Sequence, residues 1–421
     1  MTGQPTTNLA PPRKVVTRRD FRLLWFGQTI SLLGSNVSTV ALPLVMVVTL
    51  RADTFTVGLL TSVAWLPWLV IGLPAGAWVD RLARRPVMLW CDIVSLVAVM
   101  TVPLAAWLGL LTITHLFVVA AVGGCAKVFF TTAYRAYLPS LIPSDELLPA
   151  NARLYGSEST VQVVGPGLGG VLATVFGAVS GLVLDALSFG ISALCLWGIR
   201  TAEPRPAATA RGGLRSEIGE GLRFVVHDPY LRVLVCYSAA VNIALMGFTS
   251  ISVLFLVRDV GASAATVGVV LALSSAGGAV GALVAGRVSG RFGTARAVVL
   301  LQVATVPMGL LIPLTSGGIG LVWYVVGVLA IEIGGVASNV IINTFRQQYC
   351  PPDLLGRINA SMAMVTVGVV PLGGVLAGGL GTVFGVRQAI WMMTGLLALS
   401  VAILLMSRIR RLRDFPATRP A

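Results

Sequence analysis

Acidic and basic side chains interrupt several of the long apolar runs in the sequence. Glu332 lies near the middle of one such run, 319–345, and no basic residue lies within one helical turn of it. A charge in the hydrocarbon core of a membrane is costly unless it is paired or faces water, so Glu332 is a functional candidate. Because burial disfavours the ionised carboxylate, we expect Glu332 to take up and release a proton. Contact with a substrate cation and a neutral structural role are the alternatives.

Lys127 and Glu158 lie inside two consecutive apolar runs. Counted from Pro139 and Pro149, which mark the ends of these runs on one side, they lie 12 and 9 residues in. At a rise of about 1.5 Å per residue, their depths differ by only about 5 Å. We predict that the two side chains form an ion pair or share a water; two separate polar residues are the alternative. If paired, Glu158 is a second candidate for proton coupling.

These charges are exceptions in a chain whose solvent must be largely lipid. Of the 421 residues, 56% are apolar and only 11% are charged, and the mean hydropathy is +0.89. A soluble domain has about 25% charged residues. Since about 20 apolar residues cross a bilayer core, the sequence predicts an all-α membrane protein with twelve transmembrane helices. The predicted spans are 21–49, 55–79, 87–110, 113–138, 151–178, 180–199, 231–256, 264–288, 296–315, 319–345, 358–383 and 388–407.

The distribution of Lys and Arg predicts the orientation of these spans. The loops on one side hold only Arg51, Arg258 and Arg387, whereas the other side, which includes both termini, is rich in arginine. By the positive-inside rule, we expect both termini in the cytoplasm and a multi-pass location in a bacterial inner membrane. The net charge of +14 lies in short clusters between apolar runs, so it indicates topology and not nucleic-acid binding. Residues Met1–Pro12 lack the features of a signal peptide, so we expect the first span to be retained.

The sequence offers little for catalysis or metal binding. Its five cysteines are scattered without a CxxC pair, and its only histidines are His115 and His227. It also lacks the G-x-x-x-x-G-K-[ST] loop that cradles the phosphates of ATP. We therefore expect no enzymatic activity, no cofactor and no metal.

The longest polar stretch, 201–230, lies in the middle of the chain. It begins Pro- and Ala-rich and then becomes amphipathic, with apolar residues on one helical face. We expect a flexible linker and a short cytoplasmic helix, which is either a surface connector or a regulatory docking helix. The stretch separates an N-terminal six-helix bundle, 1–200, from a C-terminal bundle with a basic tail, 231–421.

The two halves repeat each other in sequence. Asn151 and Ala152 recur 208 positions later as Asn359 and Ala360, and Arg135 recurs 211 positions later as Arg346. Such an ordered series indicates two pseudo-symmetric bundles, an architecture in which transporters hold substrate near the membrane midplane between the repeats. Rocking of the two bundles about this site gives alternating access.

The loop after the second predicted span has Gly76, Asp80, Arg81, Arg84 and Arg85 in the spacing G-x-x-x-D-R-x-x-R-R. This spacing resembles the signature loop of the major facilitator superfamily. Glycine allows close helix approach, the acid is able to cap a helix N-terminus, and the arginines offer donors to carbonyls or lipid phosphates. The resemblance implies the major facilitator fold and a cytoplasmic latch; a plain basic loop is the alternative. The second-half copy, 286–291, lacks the acid. The latch residues are Gly76, Asp80, Arg81, Arg84 and Arg85.

The fifth predicted span resembles the G-P-x-x-G-G element of drug–proton antiporters in that superfamily. It contains Gly165, Pro166, Gly169 and Gly170, and a related set recurs from Pro371 onward. Glycine permits close helix packing, which would prevent proton leak between the halves. Generic packing in a glycine-rich helix is the alternative.

Two longer stretches, 20–43 and 134–189, resemble the branch of the superfamily that contains enterobactin exporters and macrolide efflux proteins. This resemblance implies export coupled to the proton-motive force, and it implies a structural role for Asp185. Many relatives carry an acid just after the glycine of the first helix, where this chain has Ser35. We expect the remaining buried acid, Asp92, to support the loop at 81–85.

We therefore predict a proton-coupled exporter of small amphipathic molecules such as a drug, an antibiotic or a siderophore. An importer or facilitator of a small solute on the same fold is the alternative. The expected partners are the substrate, protons and membrane lipids, and we expect a monomer. Polar and aromatic residues in the spans are candidates to line the substrate cavity. They are Gln28, Asn36, Trp65, Phe129, Asn242, Asn339 and Asn343.

Overall fold

A computed structural model describes residues 16–79, 81–142, 147–201, 214–351 and 354–416. The described residues form helices and connecting turns and contain no β-strand. The first half comprises α1 (Val16–Leu44), α2 (Thr54–Val70), α3 (Gly72–Val79), α4 (Arg84–Trp107), α5 (Ile113–Leu141), α6 (Leu147–Phe176) and α7 (Ser180–Gly198). The connecting helix is α8 (Leu214–His227). The second half comprises α9 (Pro229–Leu254), α10 (Ala264–Phe292), α11 (Thr294–Thr305), α12 (Leu321–Tyr349), α13 (Leu355–Gly368), α14 (Val370–Phe384) and α15 (Val386–Met406).

Eleven helices in the described part of the chain are long and apolar enough to cross a membrane. The predicted span 55–79 differs, because it consists of two shorter helices, α2 and α3, which meet at Ile71. Gly72 is a weak helix former, and Pro74 has no amide hydrogen for the carbonyl of Val70. The predicted count of twelve is reached only when α2 and α3 are taken together as one crossing.

Proline also divides two spans of the second half. After α11, the chain continues as a 3-10 helix, Val306–Leu314, that contains two prolines. The predicted span 358–383 is interrupted at Val369, where α13 ends and α14 begins with Pro371 at its second residue. Such interruptions are tolerated within membranes where neighbouring helices and side chains satisfy the freed backbone groups.

Both ends of the described chain lie on one side of the molecule. At the start of α1, the Asp20 carboxylate accepts hydrogen bonds from the backbone N–H of Arg200 and Thr201, just after α7. At the C-terminal end, the carbonyl of Arg413 accepts from the N–H of Ala295, at the start of α11. We call this side the termini face and the other side the opposite face.

The two halves touch each other through small residues near the opposite face. α6 packs on α10 where Gly170 meets Gly268, and α2 packs on α14 where Gly58 meets Gly374. The Ser62 hydroxyl also donates to the carbonyl of Pro371 at 2.7 Å. Lipid gives no hydrophobic drive for helix association, so close backbone contact between small residues holds the halves together here.

The connecting helix α8 packs against α13 of the second half. Val225 at its C-terminal end is buried in the core of that half. The next residue after the helix, Asp228, is fully buried and caps α9 by accepting from the N–H of Tyr230 and Leu231. Its other oxygen accepts from the Tyr349 hydroxyl at 2.7 Å, which joins the connector to α12. The Pro- and Ala-rich part of the predicted linker lies outside the described residues.

Candidate functional site

A cavity of about 540 Å³ lies among the helices of the second half and is bordered from the first half by α5. This volume falls within the roughly 300–1,000 Å³ typical of small-molecule sites. Along α12 the cavity extends from Ile331 to Arg346, which is about 22 Å at the helical rise. Its polar and charged lining residues are Arg135, Tyr237, Ser238, Asn242, Gln302, Glu332, Ser338, Asn339, Asn343, Arg346, Asn359 and Thr366.

Glu332 borders the cavity at the end farther from the termini face. Its Cβ packs closely on Gly277 of α10, where no larger residue fits, and its Oε2 lies near Gly278. These glycines let α10 approach α12 and leave room for the carboxylate. Within the described part of the chain, the carboxylate has no hydrogen-bond or ion-pair partner. The acid that the sequence identified therefore borders the cavity, and a role in binding a proton or a ligand stays a prediction.

Hydrogen bonds between helices hold the polar wall of the cavity in place. The Asn242 side chain donates to the carbonyl of Thr366 at 2.8 Å and so joins α9 to α13. Gln302 of α11 donates to the carbonyl of Gly334 and to the Ser338 hydroxyl of α12. The Gln302 bonds fix α12, the helix that carries Glu332.

Two arginines border the cavity nearer the termini face, and each half contributes one. Arg135 of α5 is exposed, and it is the one lining residue from the first half within the described chain. Arg346 of α12 donates from Nη2 to Asn343 Oδ1 at 2.6 Å, while its Nε is buried without a hydrogen-bond partner. The sequence repeat had already paired these two positions, but sequence reasoning did not assign them to the site.

The cavity includes three of the seven residues predicted to line it: Asn242, Asn339 and Asn343. The other four, all in the first half, do not border it, because their helices turn them toward neighbouring helices. The Asn36 side chain packs on Gly165 of α6 and donates to the carbonyl of Leu32. Phe129 stacks on Trp78 at 5.9 Å between ring centroids. The remaining two are Gln28, whose Oε1 is buried without a partner, and Trp65.

Lys127 and Glu158 do not form the predicted ion pair. The Lys127 ammonium points toward α2, where it lies 6.0 Å from the centroid of the Trp65 ring. This distance is the outer limit of a cation–π contact. Glu158 and Asp185 are the carboxylates that act on the ammonium electrostatically, without direct contact. The direct ion pair is therefore absent, and a water shared by Lys127 and Glu158 stays a prediction.

Asp185 and Asp92, the two other buried acids, have different surroundings. The Asp185 carboxylate accepts from Ser38 at 2.5 Å and from Ser35 at 3.4 Å, so it joins α7 to α1. This matches the structural role that the resemblance implied. Asp92 is also buried, but one of its oxygens has no partner and it bonds neither Arg84 nor Arg85. The expectation that Asp92 supports the arginine loop is therefore wrong, because α4 turns its side chain toward α7.

The predicted latch loop lies at the termini face of the first half. Arg84 donates to the carbonyl of Ala136 in α5, and Arg85 donates to the carbonyls of Leu196 and Trp197 at the end of α7. Cations at helix C-termini are favoured by the helix dipole. Arg81 is exposed, and Asp80 lies outside the described residues. A latch role for the loop stays a prediction.

Gly76 does not have the role that the sequence suggested for it. A Cβ there would meet no other described atom within 4 Å, so close helix approach does not explain this glycine.

The glycine-proline element of α6 has two packing surfaces. A Cβ at Gly169 would lie 2.9 Å from the carbonyl oxygen of Val37, so this side packs on α1. A Cβ at Gly170 would lie 2.6 Å from the carbonyl oxygen of Ala264, so the other side packs on α10. Pro166 also contacts α10, through its carbonyl oxygen, while Gly165 contacts α1. The element thus joins α1 of its own half to α10 of the other half.

Comparisons with known proteins find relatives along nearly the whole chain. The chain is 28% identical over 402 residues to the multidrug efflux pump Tap of Mycolicibacterium fortuitum, covering 93% of this chain and 96% of that protein. It is 27% identical over 410 residues to the enterobactin exporter EntS of Escherichia coli O81 (strain ED1a), covering 95% of each.

Two solved structures share the fold. A bacterial homologue of the lysosomal transporter Spinster, in an inward-facing and unoccupied conformation, superposes with a TM-score of 0.75 at 16% identity, covering 97% of this chain and all of that one. The nucleoside transporter NupG superposes with a TM-score of 0.73 at 13% identity, covering 92% and 98%. The family model for the Major Facilitator Superfamily matches residues 24–370. The chain is therefore a multi-pass membrane transporter, not an enzyme, and it belongs to the Major Facilitator Superfamily.

Proposed function

We propose that this protein exports small amphipathic molecules in exchange for protons, by alternating access of the cavity to the two faces of the membrane. The observation that carries the proposal is the position of Glu332, which borders the cavity and has no protein partner among the described residues. A carboxylate in this setting binds a proton when the cavity faces the acidic side and loses it when the cavity faces the other side.

The direction of transport is proposed from the relatives. Tap is named as a multidrug efflux pump and EntS as an enterobactin exporter, and both match nearly the whole chain. We place the protein in a bacterial inner membrane as a monomer, with the termini face in the cytoplasm as the arginine distribution predicts. In this orientation the cavity reaches the cytoplasmic side, where an exporter takes up its substrate.

Glu158 is proposed as a second, subordinate proton site. It is half-buried on α6 and acts electrostatically on Lys127 and on Tyr134. Its protonation would change the charge that acts on Lys127 in the first half. Glu332 would be the proton site of the second half.

The test is dye uptake into inside-out membrane vesicles with an imposed acidic interior. Wild-type uptake is expected to depend on the gradient and to stop when an uncoupler is added. Glu332→Gln should lose most of the gradient-driven uptake, because the amide does not titrate. Asp53→Asn is the matched control: it also removes a carboxylate, and asparagine caps α2 as well as the aspartate does.

Uptake that is independent of the gradient in the wild type would refute proton coupling. Uptake only when the gradient is reversed would favour the importer alternative. If the Glu332 and Asp53 variants lose gradient-driven uptake equally, the result would contradict a specific role of Glu332 in proton coupling.

A further inference from the structure

The repeat-related arginines Arg135 and Arg346 occupy one cavity although they belong to different halves. Arg135 lies on α5 and Arg346 on α12, and each follows its paired glycines by the same spacing in sequence. Residues related by an internal two-fold repeat face each other across the repeat axis. The structure therefore brings one cation from each half to the same side of the cavity.

Neither arginine is neutralised by an acid within the described chain. Arg135 has no ion-pair or hydrogen-bond partner there. Arg346 contacts the neutral side chains of Asn343 and Met362, and its Nε is buried with no partner. The cavity acid Glu332 lies 14 positions away on α12, about 21 Å along the axis. This end of the cavity thus has positive charge and an unused hydrogen-bond donor.

A neighbouring acceptor completes the polar surface. Asn359 borders the same cavity from α13, and its Oδ1 is buried without a partner. An oxygen-rich acidic group that carries or neighbours a hydroxyl would satisfy both the arginine donors and this acceptor. An amphipathic cation would leave both arginines unpaired and repelled.

The charges of Arg135 and Arg346 affect how easily the cavity closes at the termini face. The halves touch near the opposite face, so closure at the termini face requires the two halves to approach each other where Arg135 and Arg346 lie. Two like charges oppose that approach, and the opposition is stronger where water is excluded. An anion bound between them removes it, so substrate binding would itself permit closure.

We propose that Arg135 and Arg346 bind an acidic group of the transported molecule, so that the preferred substrates are amphipathic anions or zwitterions. This inference rests on the proposed function only in taking the cavity as the substrate site. Arginine presents a fork of donors that matches carboxylate geometry, and lysine does not.

The test uses two dyes that differ only in this acidic group, tetramethylrhodamine and its methyl ester. Binding to the purified full-length protein in phosphatidylcholine nanodiscs is followed by fluorescence anisotropy, with empty nanodiscs as the background. The wild type should bind the carboxylate dye more tightly than the ester. Arg135→Gln and Arg346→Gln should each weaken carboxylate binding about tenfold or more, as expected for loss of a charge-assisted hydrogen bond. Binding of the cationic ester should stay the same or become tighter, because a repelling charge is removed.

Two control variants separate charge at the site from other effects. Arg287→Gln removes an arginine of α10 that donates to the Leu283 carbonyl in its own helix and does not border the cavity, so it should bind both dyes like the wild type. The double variant Arg135→Gln with Arg346→Gln should lose less than the sum of the single losses, because one bound group contacts both arginines.

Several outcomes would overturn the inference. One is that the wild-type protein binds the carboxylate dye no more tightly than the ester, or binds neither dye. Another is that the arginine substitutions change the binding of both dyes equally. If added phosphatidylglycerol displaces the carboxylate dye from the wild type but not from the arginine variants, the site belongs to a lipid phosphate and the substrate assignment fails. Because binding needs no gradient, failure of proton-driven uptake would leave this result unaffected.

Discussion

Gly170 is a position at which a single added methyl group should change the conformational equilibrium. A Cβ there would lie 2.6 Å from the Ala264 carbonyl oxygen and 2.7 Å from the Gly268 Cα, and both atoms are backbone. Ordinary contacts of this kind lie at about 3.5–4.0 Å, so Gly170→Ala requires α6 and α10 to separate by about 1 Å. No side chain is available to move instead.

The added methyl group of Gly170→Ala should destabilise the conformation in which the two halves are in contact at the opposite face. Overpacking by one methyl group costs about 1–3 kcal/mol, and about 1.4 kcal/mol corresponds to a tenfold change in an equilibrium. If the helices are already apart in the other state, the closed state should lose about 5- to 150-fold in relative population. Gly167→Ala is the matched control on the same helix, since a Cβ there would lie 3.5 Å from the Ala272 Cβ, an ordinary contact.

The assay is thiol labelling of a cysteine placed in the cavity. Asn339→Cys is introduced into a variant that lacks the native cysteines, and a membrane-impermeant maleimide is added from the opposite face. Labelling should be slow in this parent and in Gly167→Ala, and at least several-fold faster in Gly170→Ala. Equal labelling rates in the two glycine variants would refute the reasoning that backbone contact at Gly170 closes this face.

Three further predictions concern stability and thiol reactivity. Ser38→Ala should lower the unfolding temperature of the detergent-solubilised protein, because Asp185 loses its shorter hydrogen bond, worth about 1.5–3 kcal/mol when one partner is charged; an unchanged temperature would contradict this. Asp228→Ala should be more destabilising in the same assay, since the residue is fully buried and both caps α9 and accepts from α12; a smaller effect than that of Ser38→Ala would contradict the comparison. Burial raises the pKa of the Cys350 thiol to about 11, so the reactive thiolate is scarce below that pH. Maleimide should therefore modify Cys350 much more slowly at pH 8 in the folded protein than in the unfolded protein, as peptide mass spectrometry would show.

The apolar runs of the sequence were sufficient to predict the helical membrane architecture, because lipid requires every crossing to satisfy its own backbone. The breaks at Ile71 and Val369 were not predicted, since a membrane helix tolerates proline when neighbours compensate. Whether a proline interrupts the helix or stays within it, as Pro166 does in α6, depends on packing that a single segment does not encode.

The candidate site was predictable in part, for a physical reason. Glu332 could be identified because a charge in an apolar run is unusual on its own. The rotation of each helix about its axis decides which neutral side chains face the cavity, and for Asn36 and Phe129 the packing partners lay in distant segments. Arg135 and Arg346 were visible as a repeat in the sequence, but only the cavity shows that the two positions share one space.

The two halves stabilise their termini-face loops with different groups, although the loops descend from one repeat. In the first half, Arg84 and Arg85 bond the carbonyls of neighbouring helices. The second-half loop lacks the acid of the signature, yet an acid is present: Asp414 from the C-terminal tail accepts from the N–H of Thr294, the first residue of α11.

The C-terminal tail makes a second contact with the start of α11 and also contacts α12. The Arg413 carbonyl accepts from the N–H of Ala295, and Phe415 stacks on Phe345 of α12 with 4.3 Å between ring centroids. Phe345 precedes the cavity residue Arg346, so the tail braces the segment of α12 that carries the proposed anion site. A carboxylate at a helix N-terminus is stabilising whether it comes from the adjacent loop or from the end of the chain. In the second half, the carboxylate at the N-terminus of α11 therefore comes from the C-terminal tail and not from the loop that precedes the helix.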